Sequence, residues 1–260
     1  MAPAHPAEGA LRAPLYLQGP EGLEGPWDEA GERLEDTGRA VVCTTWGQWL
    51  TAVLLDPGLR PLLGEDWPRF RRTPSAAGRL RFAVSRYVMK YAAATALDVP
   101  VHTVELGRGP DGQLLVRGPG TGVDIALAHT GELIVVGVSR TGRIAVHAQP
   151  ADLDLRSPLL RGRIPAQESA VLGALPEDER RTRLLRLLTL RTARTGGGQE
   201  PDGQEPDGQE PDGAVSAQEA FGPQEFTPQE FGPQAAGEWS FAAHLVQDRY
   251  LVGEAHGPRR

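Results

Sequence analysis

The stretch DIALAHTGELIVVGVSRTGRIAVHAQP, residues 124–150, decides the fold. It holds three apolar runs, rich in β-branched residues and separated by HTG and RTGR, which have the composition of tight turns. The pattern predicts three consecutive strands. The third carries His147 and Gln149 at alternating positions, so both side chains are expected on one face of that strand.

The flanking segments predict further strands and helices. The segment GRLRFAVSRYVMKYAAATAL predicts a long helix, because Leu80, Val84, Val88 and Tyr91 recur at helical spacing. AVVCTTWGQWL predicts a first strand, and VHTVEL and GQLLVRG predict two short ones around the turn residues 110–112. AQESAVLGALPEDERRTRLLRLLTLRTART predicts one helix, or two that are broken near Pro176; EWSFAAHLVQDRYLVGEAH predicts a closing hairpin around QDR.

Two segments have too little apolar content to predict packed structure. Residues 1–38 are rich in Gly, Pro and Glu and are expected to form an acidic flexible tail. QEPDGQEPDGQEPDG, residues 199–213, is a perfect five-residue repeat, and we expect a disordered linker over about 196–219.

The net charge of −7 divides unevenly along the chain. Residues 1–38 carry −6, residues 196–235 carry −9 and residues 236–260 carry none, which leaves +8 on residues 39–195. A basic body with acidic appendages fits an anionic partner, such as a phosphate-bearing cofactor or an acidic carrier protein, and it fits equally a surface on which the arginines are only solvated. Nucleic acid is not the expected partner, since aromatic residues do not interleave with the basic clusters.

Cysteine content and hydropathy exclude several classes of protein. The single Cys43 allows no intramolecular disulfide and no multi-cysteine zinc site, and we expect it to be a small buried hydrophobe. No apolar run approaches the roughly 20 residues of a membrane span, and the N-terminus lacks the pattern of a signal peptide. The expectation is a cytoplasmic protein.

The order of these segments resembles that of a 4'-phosphopantetheinyl transferase of the surfactin-synthetase type. The resemblance covers about residues 39–195 and resumes weakly over 220–256. It implies an α+β fold, a pseudo-dimer of two similar α/β halves with the site in the cleft between them. The N-terminal half would span 39–138 and the C-terminal half 139–260, interrupted by the repeat.

The same resemblance implies that the metal site has been lost. An active member would carry SHTG, then GVDxE, then WTxKEA, and the Asp and both Glu residues would hold Mg²⁺ on the pyrophosphate of coenzyme A. Here AHTG keeps His129, but His147, Gln149 and Thr192 stand at the three carboxylate positions. Because Mg²⁺ prefers anionic oxygen ligands, we expect neither a metal nor a cofactor.

Several residues remain candidates for a changed chemistry. His147 and His129 are candidate general bases, Asp124 or Glu132 could orient one of them, and Gln149 or Thr192 could donate to an oxyanion. His129 also matches a residue that contacts the cofactor in the family that the chain resembles. Arg86 and Lys90, four apart on one predicted helix, could bind a phosphate or a carrier protein.

Three functions follow from these expectations. The first is a metal-independent cyclase or chain-release enzyme of polyketide or polyketide-peptide biosynthesis, which would act on a carrier-bound or released acyl chain by acid/base catalysis. The second is a non-catalytic protein that binds carrier domains, and the third is phosphopantetheinyl transfer with unusual ligands. In each case the expected partner is an acyl carrier protein or its acyl product, with no membrane partner, and the chain is expected to be a monomer.

Overall fold

Nine strands and seven α-helices occur in the described part of the computed structural model, which comprises residues 12–19, 27–56, 58–109, 113–118, 122–153, 160, 164, 166–194 and 239–258. The strands are β1 Leu15–Tyr16, β2 Arg39–Thr45, β3 Glu105–Arg108, β4 Leu114–Arg117, β5 Asp124–Thr130, β6 Leu133–Ser139, β7 Arg143–Pro150, β8 Ser240–Val246 and β9 Tyr250–Gly257. The helices are α1 Asp28–Thr37, α2 Trp46–Leu55, α3 Leu59–Leu63, α4 Trp67–Arg72, α5 Ala76–Leu97, α6 Ala166–Gly173 and α7 Glu177–Arg194. Short 3-10 turns cover Gly64–Asp66 and Val101–Thr103. The protein is therefore α+β, as expected.

The strands form two sheets and a separate hairpin. The first sheet has the order β1-β2-β6-β5, with β1 parallel to β2 and the other pairs antiparallel. The second sheet is antiparallel throughout, in the order β7-β9-β8, and β3 pairs with β4. The predicted three-strand stretch thus forms β5, β6 and β7, but β7 leaves the first sheet and begins the second.

Side chains that alternate along the strands divide the interior into layers. In the first sheet, Leu127 and Val136 pack with the α5 helix, whereas Cys43 and Val135 pack against Val146 and other residues of the second sheet. The opposite face of the second sheet is covered by α7, through a small cluster around Ala145, Ala193 and Ala255. The order of layers is therefore helix, sheet, sheet, helix.

The long helix α5 confirms the prediction from periodicity. Its first turn is capped by Ser75, whose Oγ accepts a hydrogen bond from the backbone N–H of Gly78 at 2.9 Å. The helix ends at Asp98, which adopts the left-handed conformation. Alanines 92, 93 and 96 are buried, and such small side chains allow a close approach to neighbouring elements.

The first strand is shorter than the sequence pattern indicates. The prediction continued the strand to Leu50, but the strand ends at Thr45 and α2 begins at Trp46. The helix turns Trp49 into the core, where its Nε1 donates a hydrogen bond to the Thr44 Oγ1 at 2.6 Å. Burial of this aromatic ring outweighs the β-propensity of the segment.

The expectation of a flexible tail over residues 1–38 is wrong for the described residues 12–19 and 27–38. Leu15 and Tyr16 pair with β2, and Trp27, Ala30 and Leu34 lie in the core. These three apolar residues lie on one face of α1 despite the acidic composition around them, and that face buries enough surface to hold the helix. Residues 1–11 and 20–26 lie outside the described residues.

The C-terminal segments form two helices and a hairpin. The sequence pattern predicted either one helix or two, and the structure has two, α6 and α7, which are separated at Pro176. The predicted closing hairpin is confirmed as β8 and β9, joined at residues 247–249. The predicted linker at about 196–219 lies outside the described residues. Among those that are described, no helix has the length and apolarity of a membrane span.

Cys43 is a buried thiol at the centre of the first sheet. Its side chain is fully buried, and burial, with a smaller contribution from the charge of Glu254, raises the pKa of the thiol far above its ordinary value. The thiolate is the reactive form, so we expect no reaction of Cys43 with an aromatic disulfide reagent in the native protein at pH 8. One thiol per chain should react after unfolding in guanidinium; fast labelling of the native protein would show an open site at β2.

Candidate functional site

Strand β7 carries His147 and Gln149, which stand at two of the three carboxylate positions of the family that the sequence resembles. Its Ile144, Val146 and Ala148 pack between the two sheets, so Ala145, His147 and Gln149 face the other way, toward α7. The structure therefore brings His147 and Gln149 to one face, as their spacing predicted. That face is covered by α7 of the C-terminal half, so the expectation that both residues line a cleft between the two halves is wrong. His147 is half-buried and Gln149 is buried.

Helix α7 packs directly on the sheet at the level of His147. Gly253 of β9 lies opposite His147 in the strand register. A Cβ added at Gly253 would overlap the Thr189 Oγ1 and would lie 3.0 Å from the Leu185 Cγ. Gly253 thus permits the close approach of α7, and the helix covers this part of the face.

Gln149 is buried under that cover without a polar partner among the described residues. Its side chain is 2% exposed, and neither the Nε2 nor the Oε1 forms a hydrogen bond with the described part of the chain. A buried amide without hydrogen bonds costs free energy that a well-packed apolar side chain of similar volume would not. The predicted oxyanion donor is thus inside the C-terminal layer of the protein.

Two hydroxyl groups on α7, those of Thr189 and Thr192, are directed into the helix itself. Thr192 donates to the Leu188 carbonyl at 3.0 Å, and the buried Thr189 donates to the Leu185 carbonyl at 2.7 Å. Thr192 was the other predicted oxyanion donor, but its hydroxyl proton is engaged with the helix backbone. Thr189, which the sequence analysis did not single out, is the threonine that contacts β9.

The donor atoms on this face do not fit Mg²⁺. The three positions that would hold the metal supply an imidazole, a buried amide and a hydroxyl, where a hard divalent ion requires anionic oxygens. Within the described part of the chain, no group of three or more His, Cys, Asp or Glu side chains could hold a metal ion. No chemical step through a metal is therefore derived for this site.

His129 lies on a different face from His147. On β5, the alternate residues Ile125 and Leu127 pack with the α5 side of the first sheet, and His129 follows in the same alternation. His147 faces α7 on the outer side of the second sheet. The two candidate bases consequently do not share a face, and each would have to act without the other.

Asp124 joins the two sheets. Its Oδ2 accepts a hydrogen bond from the backbone N–H of Ile144 at 2.6 Å, where β7 begins alongside β5. Burial raises the pKa of Asp124 above its ordinary value, while that hydrogen bond and the charge of Arg143 oppose the shift. The carboxylate thus positions the start of the strand that carries His147.

Glu132 lies at the far end of β5 from Asp124. It is exposed in the Gly131–Glu132 turn, and its backbone carbonyl accepts the N–H of Trp46 at 3.1 Å. Six residue steps of extended strand separate the ends of β5, a distance of about 20 Å. Asp124 and Glu132 therefore cannot both orient one histidine.

The pKa of Asp124 predicts a measurable pH dependence of stability. A carboxyl group whose pKa is raised by folding stabilises the protein below its unfolded pKa, and this contribution is lost as the pH rises through the folded value. Asp124→Asn keeps an acceptor for the Ile144 N–H but does not ionise. We expect the melting temperature of the variant to fall less than that of the wild type between pH 4 and pH 8. If the melting temperatures of the two proteins fell equally over this pH range, the pKa of Asp124 would not be raised by folding.

Arg86 and Lys90 are buried inside the N-terminal layers rather than exposed as a clamp. Arg86 is 1% exposed, and its Nε lies 2.5 Å from the Asp66 Oδ2, with the guanidinium 4.7 Å from the centre of the Phe82 ring. Burial lowers the pKa of the Lys90 ammonium, against the charges of Glu105 and Asp66. The pair belongs to a buried charge network, which corrects the picture of a solvent-facing phosphate clamp on one helix face.

A contact between a buried glutamate and a histidine was missed by the sequence analysis. Glu254 on β9 is 5% exposed, and its Oε1 lies 3.7 Å from the Nε2 of His244 on β8. The His244 Nε2 makes no hydrogen bond with any residue that the structure describes. A glutamate inside the apolar run YLVGEAHG was the signal that could have drawn attention to it.

No known protein family matches the chain, and no curated protein matches it. The proposed function therefore rests on the order of motifs in the sequence and on the geometry of β7, β9 and α7.

Proposed function

We propose that this protein is a phosphopantetheinyl-transferase-like protein of natural-product biosynthesis that engages an acyl carrier protein or its acyl chain without transferring phosphopantetheine. The arrangement of two sheets packed face to face, each covered by a helix, supports the proposed pseudo-dimer of two similar halves. The order of the segments supports the family. The imidazole, amide and hydroxyl of His147, Gln149 and Thr192, at the positions of the metal-binding carboxylates, support the absence of phosphopantetheine transfer.

The observation that carries the proposal is the state of Gln149. Transfer requires a carboxylate at this position that is accessible to a metal and to the pyrophosphate. Here the side chain is an amide, buried under α7. An inward-facing neutral side chain with no hydrogen bonds supplies neither the charge nor the access.

The charge distribution supports an acidic partner. The body of the chain, residues 39–195, carries +8, which attracts an acidic protein over distances comparable to the Debye length. Such attraction raises the association rate with an acidic carrier domain. Binding of this kind does not require a metal site.

A second function, chain release by proton transfer, is favoured by the position of His147. This imidazole is half-buried in the middle of a strand whose neighbouring residues are buried and apolar. Its unprotonated nitrogen would take a proton from the carbon between two carbonyl groups that lie several bonds away from the thioester in the same acyl chain. The enolate carbon would then attack a second, electrophilic carbonyl, the thioester, so that a C–C bond forms, the C–S bond breaks and the carrier thiolate leaves with the proton from the imidazolium.

One experiment separates the two functions. The full chain is mixed with a carrier protein loaded with an acyl chain that carries a 1,3-dicarbonyl group several bonds away from its thioester, and native mass spectrometry follows both the complex and the acyl group. A complex with an intact acyl group favours binding alone. Release of a cyclised product that is lost in His147→Ala but kept in His129→Ala favours catalysis at β7. Absence of both complex and product would contradict the proposal.

A further inference from the structure

Side chains from both sheets meet at the corner where the chain passes from β6 to β7. The Nδ1 of His256, on β9, lies 3.3 Å from a terminal nitrogen of Arg39, on β2. Its Nε2 lies 3.4 Å from the Ser139 Oγ, at the end of β6, and 3.4 Å from the Thr141 Oγ1, in the connection to β7. His256 is half-buried and Ser139 is fully buried. One imidazole thus contacts the two central strands of the first sheet and the connection that leads to the second.

The strand registers explain why these side chains meet. Arg39 lies directly opposite Ser139 in the first sheet, so both side chains leave that sheet on the same face. Cys43, four residues after Arg39 on β2, packs toward the second sheet, and the two-residue alternation gives Arg39 the same direction. On β9, His256 follows Val252, which packs toward the first sheet, in the same alternation. The contact therefore spans the interface between the two sheets.

The partners determine which nitrogen of the neutral ring carries the proton. A guanidinium only donates hydrogen bonds, so Arg39 donates to an unprotonated Nδ1. The ring proton is then on Nε2, which faces the hydroxyl oxygens of Ser139 and Thr141. The Ser139 Oγ also accepts the backbone N–H groups of Thr141 at 3.3 Å and Gly142 at 3.2 Å. The neutral imidazole thus joins the Arg39 side chain to the connection between β6 and β7.

Protonation of His256 would break its contact with Arg39. An imidazolium carries a proton on both nitrogens, so its Nδ1 no longer accepts a hydrogen bond. Two positive charges would then face each other at 3.3 Å in a half-buried site, where water screens them less than at the surface. Burial, and then the charge of Arg39, accordingly lower the pKa of His256 below its ordinary value.

The other charged groups around this corner are engaged with different partners. Asp124 on β5 and Glu254 on β9 also face the space between the sheets, but Asp124 accepts a backbone N–H of β7 and Glu254 lies beside the histidine of β8. Arg140 and Arg143 donate to backbone carbonyl groups of α5 and α7. Among the described residues, no carboxylate forms an ion pair with the imidazole at this corner.

We propose that His256 forms an acid-sensitive contact between the two sheets, which holds β9 to β2 while the imidazole is neutral and lets the connection between β6 and β7 open when the imidazole is protonated. A pKa that folding lowers contributes stability that is present above the unfolded value of about 6.5 and is lost as the pH falls through the folded value. The corner lies on the opposite face of the second sheet from His147, so the inference does not depend on the proposed function.

The first test is an NMR titration of the histidine side chains of the full chain. We expect His256 to titrate below the ordinary histidine pKa of about 6.5. Arg39→Met removes the neighbouring charge, so it should raise the pKa of His256. A wild-type His256 that titrates at or above the ordinary value, or a pKa that Arg39→Met leaves unchanged, would overturn the inference.

The second test measures whether the corner opens. Hydrogen exchange gives the protection factors of the Thr141 and Gly142 amides, which donate to the Ser139 Oγ, at pH 7.5 and pH 5.5. His256→Gln keeps a donor and an acceptor but does not ionise. We expect equal protection at pH 7.5, and at pH 5.5 a lower protection in the wild type than in the variant. Linkage limits this loss to about tenfold, because the lower pH is one unit below the ordinary histidine pKa.

His102→Gln is the matched control, since His102 is exposed in the 3-10 turn Val101–Thr103, away from the corner. This variant should keep the pH dependence of the wild type. If the wild type and His256→Gln are protected equally at both pH values, protonation of His256 does not open the corner and the inference is wrong, whatever pKa the titration gives.

Discussion

Arg86→Met should lower the free energy of unfolding by about 3 kcal/mol, because it removes one partner of a buried ion pair. Asp66 would keep its carboxylate at the edge of the core without the guanidinium that lies 2.5 Å away. The Phe82 ring would also lose its cation–π contact with Arg86, while the contact with Arg69 would remain. Urea unfolding followed by circular dichroism measures the change.

Two further variants show whether the ion pair is the cause of that loss. Arg71→Met removes an exposed arginine and should change stability by no more than about 0.5 kcal/mol. The double variant Arg86→Met/Asp66→Leu should recover part of the loss, since no unpaired carboxylate remains. A single Arg86→Met variant within 1 kcal/mol of the wild type would show that the buried network does not support the N-terminal layers.

Gln149→Leu should raise the free energy of unfolding by about 2 kcal/mol, since it replaces a buried amide that has no hydrogen bonds with an apolar side chain of similar size. Gln149→Glu should act in the opposite direction, because it buries an unpaired carboxylate. The two variants are compared with the wild type by urea unfolding at pH 7.

Gln48 provides a control with the opposite sign. Its Oε1 accepts hydrogen bonds from the Thr44 hydroxyl at 3.0 Å and the Tyr16 hydroxyl at 3.4 Å. Gln48→Leu should therefore cost about 1 kcal/mol, while the same change at position 149 stabilises the protein. A loss of stability in Gln149→Leu would mean that the amide has a partner and that this face is a polar site.

Local patterns predicted the elements that depend on neighbouring residues. The helical spacing of Leu80, Val84 and Val88 gave α5, and turn residues between β-branched runs gave β5, β6 and β7. The two-residue period of β7 also put His147 and Gln149 on one face. These features depend on residues that are close together in the chain, so a local sequence pattern is sufficient to predict them.

Features that depend on distant parts of the chain were not predictable. The close packing of α7 depends on Gly253, which lies far along the chain from Thr189 but meets it directly. Burial of Trp49 turned a β-like segment into α2, and α1 is held by a core to which distant strands contribute. His129 and His147 lie on different faces because β7 belongs to the second sheet and β5 to the first. The sequence of a single strand does not show which sheet the strand joins.

The central claim is that this chain does not transfer phosphopantetheine. The direct test is the intact mass of an apo carrier protein after incubation with the full chain, coenzyme A and Mg²⁺, beside a reaction with an active transferase that proves the carrier can be modified. We predict an unchanged mass in the first reaction and a gain of one phosphopantetheine group in the second. A carrier that gains that group with this chain would contradict the account, because a site made of His147, Gln149 and Thr192 would then support the metal-dependent reaction.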